Sequence, residues 1–352
     1  MVIWGLYTDI ICYTLPLNRG TSFRSYRRIL SVGAETCSAN LPLYSNMHQI
    51  LKPSRAFKYL AACFVLFAQP NIVYADKSGP IVVTIKPLYS LVAHLTDSIE
   101  KPVLLMQQMQ SPHHYTMRPS ERRLLSDARI VIWIGPQMET YLSKVIKQQE
   151  TISISAMQAK GIKLLDRRTK TSQRHAAEHA EPDNLDPHIW LSPENAIAIS
   201  KHISRQLSIN DPENTGKYQD NLRKLTEKIT QLSDEIKTSL YDNKQPYITY
   251  HDAFQYFENE YGLNHIDSIS FDEETGVSLK HMRHIKASIE KNDIQCLVYQ
   301  PPEPDIITTL TDKTTIKAVA LDPLGQDISD NKEAWFEIME NIAVNFKDCL
   351  NS

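Results

Sequence analysis

Beyond its first 75 residues this 352-residue chain has only two cysteines, no hydrophobic run long enough to cross a bilayer, and no excess of positive charge. Each scarcity excludes something. Residues 76–352 hold 31 Lys and Arg against 39 Asp and Glu, a formal −8, and such an acidic body argues against a nucleic-acid partner. The apolar stretch 59–68 has ten residues, whereas a spanning helix needs about 20. No His-Glu-x-x-His helix is present to supply a general base beside a metal-bound water. The two remaining cysteines, Cys296 and Cys349, suggest a single disulfide in an exported protein, closing a loop of about fifty residues; two buried free thiols are the alternative.

What residues 1–75 do carry is a targeting pattern. Lys52, Arg55 and Lys58 precede the apolar stretch, and Val73-Tyr74-Ala75 supplies cleavage positions, so residues 47–75 read as a secretory signal peptide cut near Ala75. Residues 1–46 lack periodicity and precede a normal signal starting at Met47, so they read as an upstream extension that is not native. A rival takes Leu60-Ala61-Ala62-Cys63 as a lipid-attachment box with Cys63 acylated, but the apolar run then lies mostly after the cysteine.

The body, 42% hydrophobic and 22% charged over the whole chain, is globular in composition. Short β-branched runs at 81–85, 103–106 and 130–134 alternate with helical spacing, with briefer strands at 152–154 and 162–165. From Pro212 to Leu240, Tyr218, Leu222, Leu225, Ile229, Leu232, Ile236 and Leu240 recur every three or four residues, and neither proline nor glycine interrupts 217–240. This predicts one long helix, as a linker or, in the rival reading, half of a coiled-coil dimer. A second alternation follows, with strands at 247–250, 266–269, 296–299 and 318–321. The fold class is α/β: two doubly wound lobes, 76–210 and 242–352, joined by a linker helix at 211–241.

Three histidines share a context. His113 follows Pro112 after a predicted strand, His188 follows Asp186-Pro187 before a helix opened by Ser192-Pro193, and His251 ends a strand at Tyr250-His251-Asp252. Any one alone reads as a satisfied or solvent-facing imidazole; three in equivalent loops point to one metal site, since zinc takes nitrogen ligands in tetrahedral geometry. His114 competes with His113 on spacing alone. Asp322, between a buried strand and Pro323, is a candidate fourth ligand, an acceptor fixing a ligand's tautomer, or a turn residue, with a supporting or occasional fourth-ligand role favoured. His175 and His179 fall in a polar loop predicted to be mobile, His281 and His284 on a solvated helix face, and His94, His202 and His265 read as structural or surface residues.

Taken together, Ser111-Pro112-His113-His114-Tyr115 with Arg118-Pro119-Ser120, Trp133-Ile134-Gly135-Pro136-Gln137-Met138-Glu139, Asp186-Pro187-His188-Ile189-Trp190, Tyr250-His251-Asp252-Ala253-Phe254 and Leu321-Asp322-Pro323-Leu324-Gly325 resemble the metal-binding proteins of ABC importers, in the cluster A-I group that includes the periplasmic zinc-binding proteins. The resemblance spans roughly residues 81–350. It implies two α/β lobes bridged by a long helix, a metal between them held by His113, His188 and His251, and pairing of Cys296 with Cys349. It further implies a monomer that captures Zn2+ with high affinity in the periplasm and delivers it to an inner-membrane ABC permease with a cytoplasmic ATPase. An imidazole at 251, where manganese-binding relatives place a carboxylate, favours zinc. Pro112 stands where some zinc-binding members have an acidic residue, which leaves the fourth position to water or Asp322. The alternatives are an exported zinc hydrolase, or a manganese/iron-binding or adhesin-type member of the same family.

Overall fold

The computed structural model describes residues 79–107, 111–148, 151–168, 184–270, 277–312 and 314–351. The signal peptide, the upstream extension, Cys63, His175 and His179 lie outside the described residues.

The first lobe is built from β1 (Ile81–Val83), α1 (Lys86–Leu95), β2 (Val103–Leu104), α2 (Pro119–Asp127), β3 (Ile130–Trp133), α3 (Thr140–Lys147) and β4 (Ile152–Ser155). Its four strands are parallel in the order β2-β1-β3-β4. Two long helices follow, α4 (Pro193–Asn210), capped by the Ser192 hydroxyl accepting from Asn195 N–H, and α5 (Thr215–Leu240). The second lobe repeats the plan with β5 (Pro246–His251), α6 (Gln255–Tyr261), β6 (Asn264–Ser270), α7 (Leu279–Asn292), β7 (Cys296–Tyr299), α8 (Asp305–Thr311), β8 (Lys317–Ala320) and α9 (Ala334–Leu350), in the parallel order β6-β5-β7-β8. In both sheets the strand order reverses beside the first strand of the lobe. In open sheets of this kind the loops at the carboxyl ends diverge at that point, which is where ligands bind.

Side chains alternate across each sheet, and the two faces bury different things. Ile81 and Val83 of β1, Ile130 and Ile132 of β3, Tyr247 of β5, and Cys296 and Val298 of β7 all join one central core with the buried faces of α1, α4, α5 and α9. The opposite faces have private cores: Val82, Val131 and Trp133 pack with Leu125 of α2 and Leu142 of α3, while Ile248 and Leu297 pack with Ile285 of α7 and with Ile307 and Leu310 of α8. The two lobes therefore share their inner layer.

Two local expectations, the start of the long helix and the strand at 162–165, are corrected, and the rival coiled-coil reading is set aside. The predicted helix from Pro212 begins as a 3-10 turn, Pro212–Asn214, and the α-helix starts at Thr215; its 26 residues span about 39 Å. Its apolar stripe is buried inside the chain, with Tyr218, Ile229 and Leu240 fully covered, so no seam is left for a coiled-coil partner. Residues 162–165 are not a strand. Asn195 takes the place of a neighbouring strand there, accepting from Lys163 N–H and donating to its carbonyl at 2.8 and 3.0 Å.

Polar contacts fasten the lobes as well. Lys86 Nζ of α1 donates to the carbonyls of Gly325 (2.6 Å) and Ile328 and pairs with Asp330 at 3.2 Å. Ser90 donates to the carbonyl of Lys332 and accepts from Trp335 N–H. The disulfide Cys296–Cys349, with a sequence separation of 53, ties β7 to the C-terminal helix α9.

Candidate metal centre

Three loops converge on one point. His113 lies after β2, in a turn where Ser111 accepts the backbone N–H groups of His113 through its hydroxyl and His114 through its carbonyl, each at 3.3 Å. Two residues on, Tyr115 is buried, packs with its ring tilted 5.5 Å from Tyr141 and donates its hydroxyl to Glu121; Glu121 also accepts Arg118 N–H at 2.6 Å. The loop is thus pinned to the start of α2, where Pro119 occupies the first helical turn.

His188 immediately precedes a 3-10 turn, Ile189–Leu191, whose three side chains are fully buried. Trp190 packs 5.5 Å from the His188 ring and sends its indole N–H to the Pro323 carbonyl at 2.9 Å. His251 is the last residue of β5, in register with Ser270 of β6, so it stands at the carboxyl edge of the second sheet beside the reversal of strand order.

The ligand-type nitrogens of His113, His188 and His251 all lie within 4.8 Å of one another. The ring centroids are 5.4 to 6.0 Å apart, and His113 Nε2 is 3.4 Å from His188 Nε2. Two nitrogens bound tetrahedrally at about 2.0–2.1 Å from zinc stand about 3.3–3.4 Å apart, so this pair already has the spacing of one tetrahedral edge. His188 and His251 are each 5% exposed and His113 is half-buried, so the cluster opens on the side of the first loop.

A carboxylate orients His188. Asp186 Oδ1 lies 2.7 Å from His188 Nδ1 and accepts His188 N–H at 3.0 Å. With Nδ1–H donated to Asp186, the lone pair at Nε2 is directed toward the other two rings, the arrangement that fixes tautomer and raises basicity in metal-bound imidazoles. Asp186 is itself held from the second lobe: Tyr256 donates its hydroxyl to the Asp186 carbonyl at 2.8 Å, and Gln255, with its amide turned to donate, reaches Oδ2 at 3.0 Å. Burial pushes the Asp186 carboxyl up to about 7, against the opposing pull of the His188 N–H and the nearby Arg168 and Arg167.

Asp322 is not brought to the cluster. Its carboxylate accepts the backbone N–H groups of Leu324 and Gly325 at 2.9 and 3.0 Å and that of Gln326, so it closes its own turn, the third of the roles open to it. The turn still touches the surroundings of the centre, through the Pro323 carbonyl that holds Trp190. The orienting role expected of Asp322 belongs to Asp186, whose signal was its place two residues before His188.

His114 is exposed, its ring 6.3 Å from that of His113, and it lies outside the group of three. His281 is not solvent-facing as expected: it is buried, with Nε2 2.9 Å from the Ser268 carbonyl, while His284 is exposed and pairs with Asp267 at 3.0 Å. Among the described residues no other group of histidines, cysteines and carboxylates converges in this way.

Comparison with known proteins agrees with this architecture. The chain is 30% identical over 327 residues to a Brucella suis protein called high-affinity zinc uptake system protein ZnuA, covering 83% of this chain and 98% of that one. A Haemophilus ducreyi protein of the same name is 29% identical over 311 residues, covering 84% and 99%. Among solved structures, a Zn(II)-bound mutant variant of AdcAII from Streptococcus pneumoniae superposes with a TM-score of 0.65 at 20% identity over 76% of this chain and 98% of that one. The solute-binding protein FpvC of Pseudomonas aeruginosa with Mn2+ gives 0.67 at 18% identity over 78% and 98%. At such identities these structures establish the two-lobed fold, and their different metals show that the fold alone does not choose the ion. The profile of the family described as ZnuA, zinc-uptake complex component A, periplasmic, matches residues 81–349, and the chain belongs to that family.

Proposed function

We propose that this protein captures Zn2+ in the periplasm through His113, His188 and His251 and delivers it to an ABC permease driven by a cytoplasmic ATPase. The observation that carries the ligand assignment is the convergence of these three imidazoles within 4.8 Å, from loops far apart in sequence. A neutral set of three nitrogens suits zinc better than the harder manganese ion, whose preferred ligands are oxygens. The fourth position falls to water, because Asp322 is occupied by its own turn. The family is one of binding components of an uptake system, not of enzymes, which sets the hydrolase alternative aside.

On this reading residues 47–75 are the export signal, cut near Ala75, the mature body is a monomer, and its functional lobes are 76–210 and 242–352 about the helix at 211–241. Calorimetric titration of the mature chain with Zn2+ tests the site. A single tight site is expected, weakened at least a hundredfold by alanine at 113, 188 or 251; a variant that keeps full affinity removes that residue from the set. Metal content after expression, together with zinc-limited growth of a deletion strain, tests the transport role.

A further inference from the structure

His188 is oriented by a carboxylate on its own loop, whereas His251 is carried on a strand end that is fixed from elsewhere. The residue after it, Asp252, turns a carboxylate that is 6% exposed toward Arg168, whose guanidinium lies 3.1 Å from Asp252 Oδ1. The other terminal nitrogen of Arg168 pairs with Glu258 on α6, and the guanidinium also meets the ring of His265 on β6. Glu258 is 4% exposed. One side chain therefore joins the turn after β5, the helix that follows it and the neighbouring strand, the three elements that surround His251.

Arg168 reaches this position on a short hairpin base. Asp166 bridges Leu185, Arg167 N–H donates to the Asn184 carbonyl at 2.7 Å, and Asp186 N–H donates to the Leu165 carbonyl at 2.8 Å. One stem of the base delivers Asp186 to His188; the other delivers Arg168 to the turn that carries His251.

We propose that Arg168 is a positioning residue for His251: its planar fork clamps Asp252 to Glu258 and so fixes the peptide that presents the imidazole. An arginine suits the task because it spans two carboxylates at once, where a lysine ammonium is a single point charge. Without it, two buried carboxylates lose the cation between them, and the 251–254 turn relaxes away from the geometry the ring needs. The inference rests on His251 being a ligand.

The test compares wild type, R168M, R168K and H251A in zinc affinity by competition with a chromogenic chelator, in melting temperature, and in the visible spectrum with Co2+ in place of zinc. Wild type must bind and H251A must lose affinity; if either fails, the ligand assignment fails, and Arg168 with it for a separate reason. Given that, R168M is expected to bind zinc 10–100-fold more weakly with an altered cobalt spectrum, the range found for groups that orient metal ligands, and R168K to fall between R168M and wild type. Wild-type affinity and spectrum in R168M overturn the proposal, as does weakened binding with an unchanged cobalt spectrum. Should R168M fail to fold, R168K alone decides, by an altered spectrum or an unaltered one.

Discussion

Asp186 and His188 are two residues apart, yet they are joined twice through one oxygen: Oδ1 of the carboxylate meets both the ring Nδ1 and the backbone N–H of the histidine. The ring is thereby fixed in rotation and in tautomer before any metal arrives. Replacing Asp186 with alanine is expected to weaken zinc binding 10–100-fold, with asparagine falling between because its amide oxygen can still accept from Nδ1. Chelator competition measures this, and equal affinities for wild type and D186A would show that the ring is oriented by other means.

Acid sensitivity should trace in part to His94. Its ring packs edge-on against Phe336 at 5.4 Å, and burial lowers its pKa to about 4, outweighing the attraction of Glu333. A histidine held neutral in the folded state and free to protonate near 6.5 when unfolded contributes stability that is complete above that value and is lost as the pH falls toward 4. Allowing for its remaining contact with solvent, the loss is about 1–2 kcal/mol. Denaturant unfolding at pH 7, 5.5 and 4.5 should show the wild type losing this much more than H94Q, and parallel profiles for the two would contradict it.

Gly325 follows the Asp322 turn at φ +66°, and a Cβ there would sit 2.7 Å from two carbons of the buried Ile338 side chain. Both the left-handed backbone and the contact oppose any side chain. G325A should therefore destabilise the fold by about 1–3 kcal/mol, seen as a lower denaturant midpoint at unchanged slope. A midpoint equal to wild type would mean that Ile338 gives way freely.

Reduction should loosen the second lobe. The Cys296–Cys349 bond closes a loop with a sequence separation of 53, and a crosslink of that span contributes about 2–4 kcal/mol, largely by restricting the unfolded chain. The C296S/C349S variant, or wild type in reductant, is expected to melt at a lower temperature. Coincident melting curves in the two redox states would refute this.

The strands could be read in the sequence because buried parallel strands are continuous apolar runs, and the long helix because its apolar step never falters. What resisted reading was nonlocal. Asp186-Pro187 and Asp322-Pro323 look alike as dipeptides, and only packing separates them: the first carboxylate is buried against His188, the second is spent on its own turn. Residues 162–165 have the composition of a strand, but their partner is the Asn195 side chain, which no periodicity announces. Arg168 gave no signal at all, since its partners lie 84 to 97 positions away.

The inner core shared by both sheets has a mechanical consequence. Jaws need a seam that can part, and here the seam is filled by α1, α4, α5 and α9, sewn by Lys86 to the 325–330 segment and by Trp190 to Pro323. Close-packed interiors transmit strain, so displacement of one lobe is passed to the other through this shared layer.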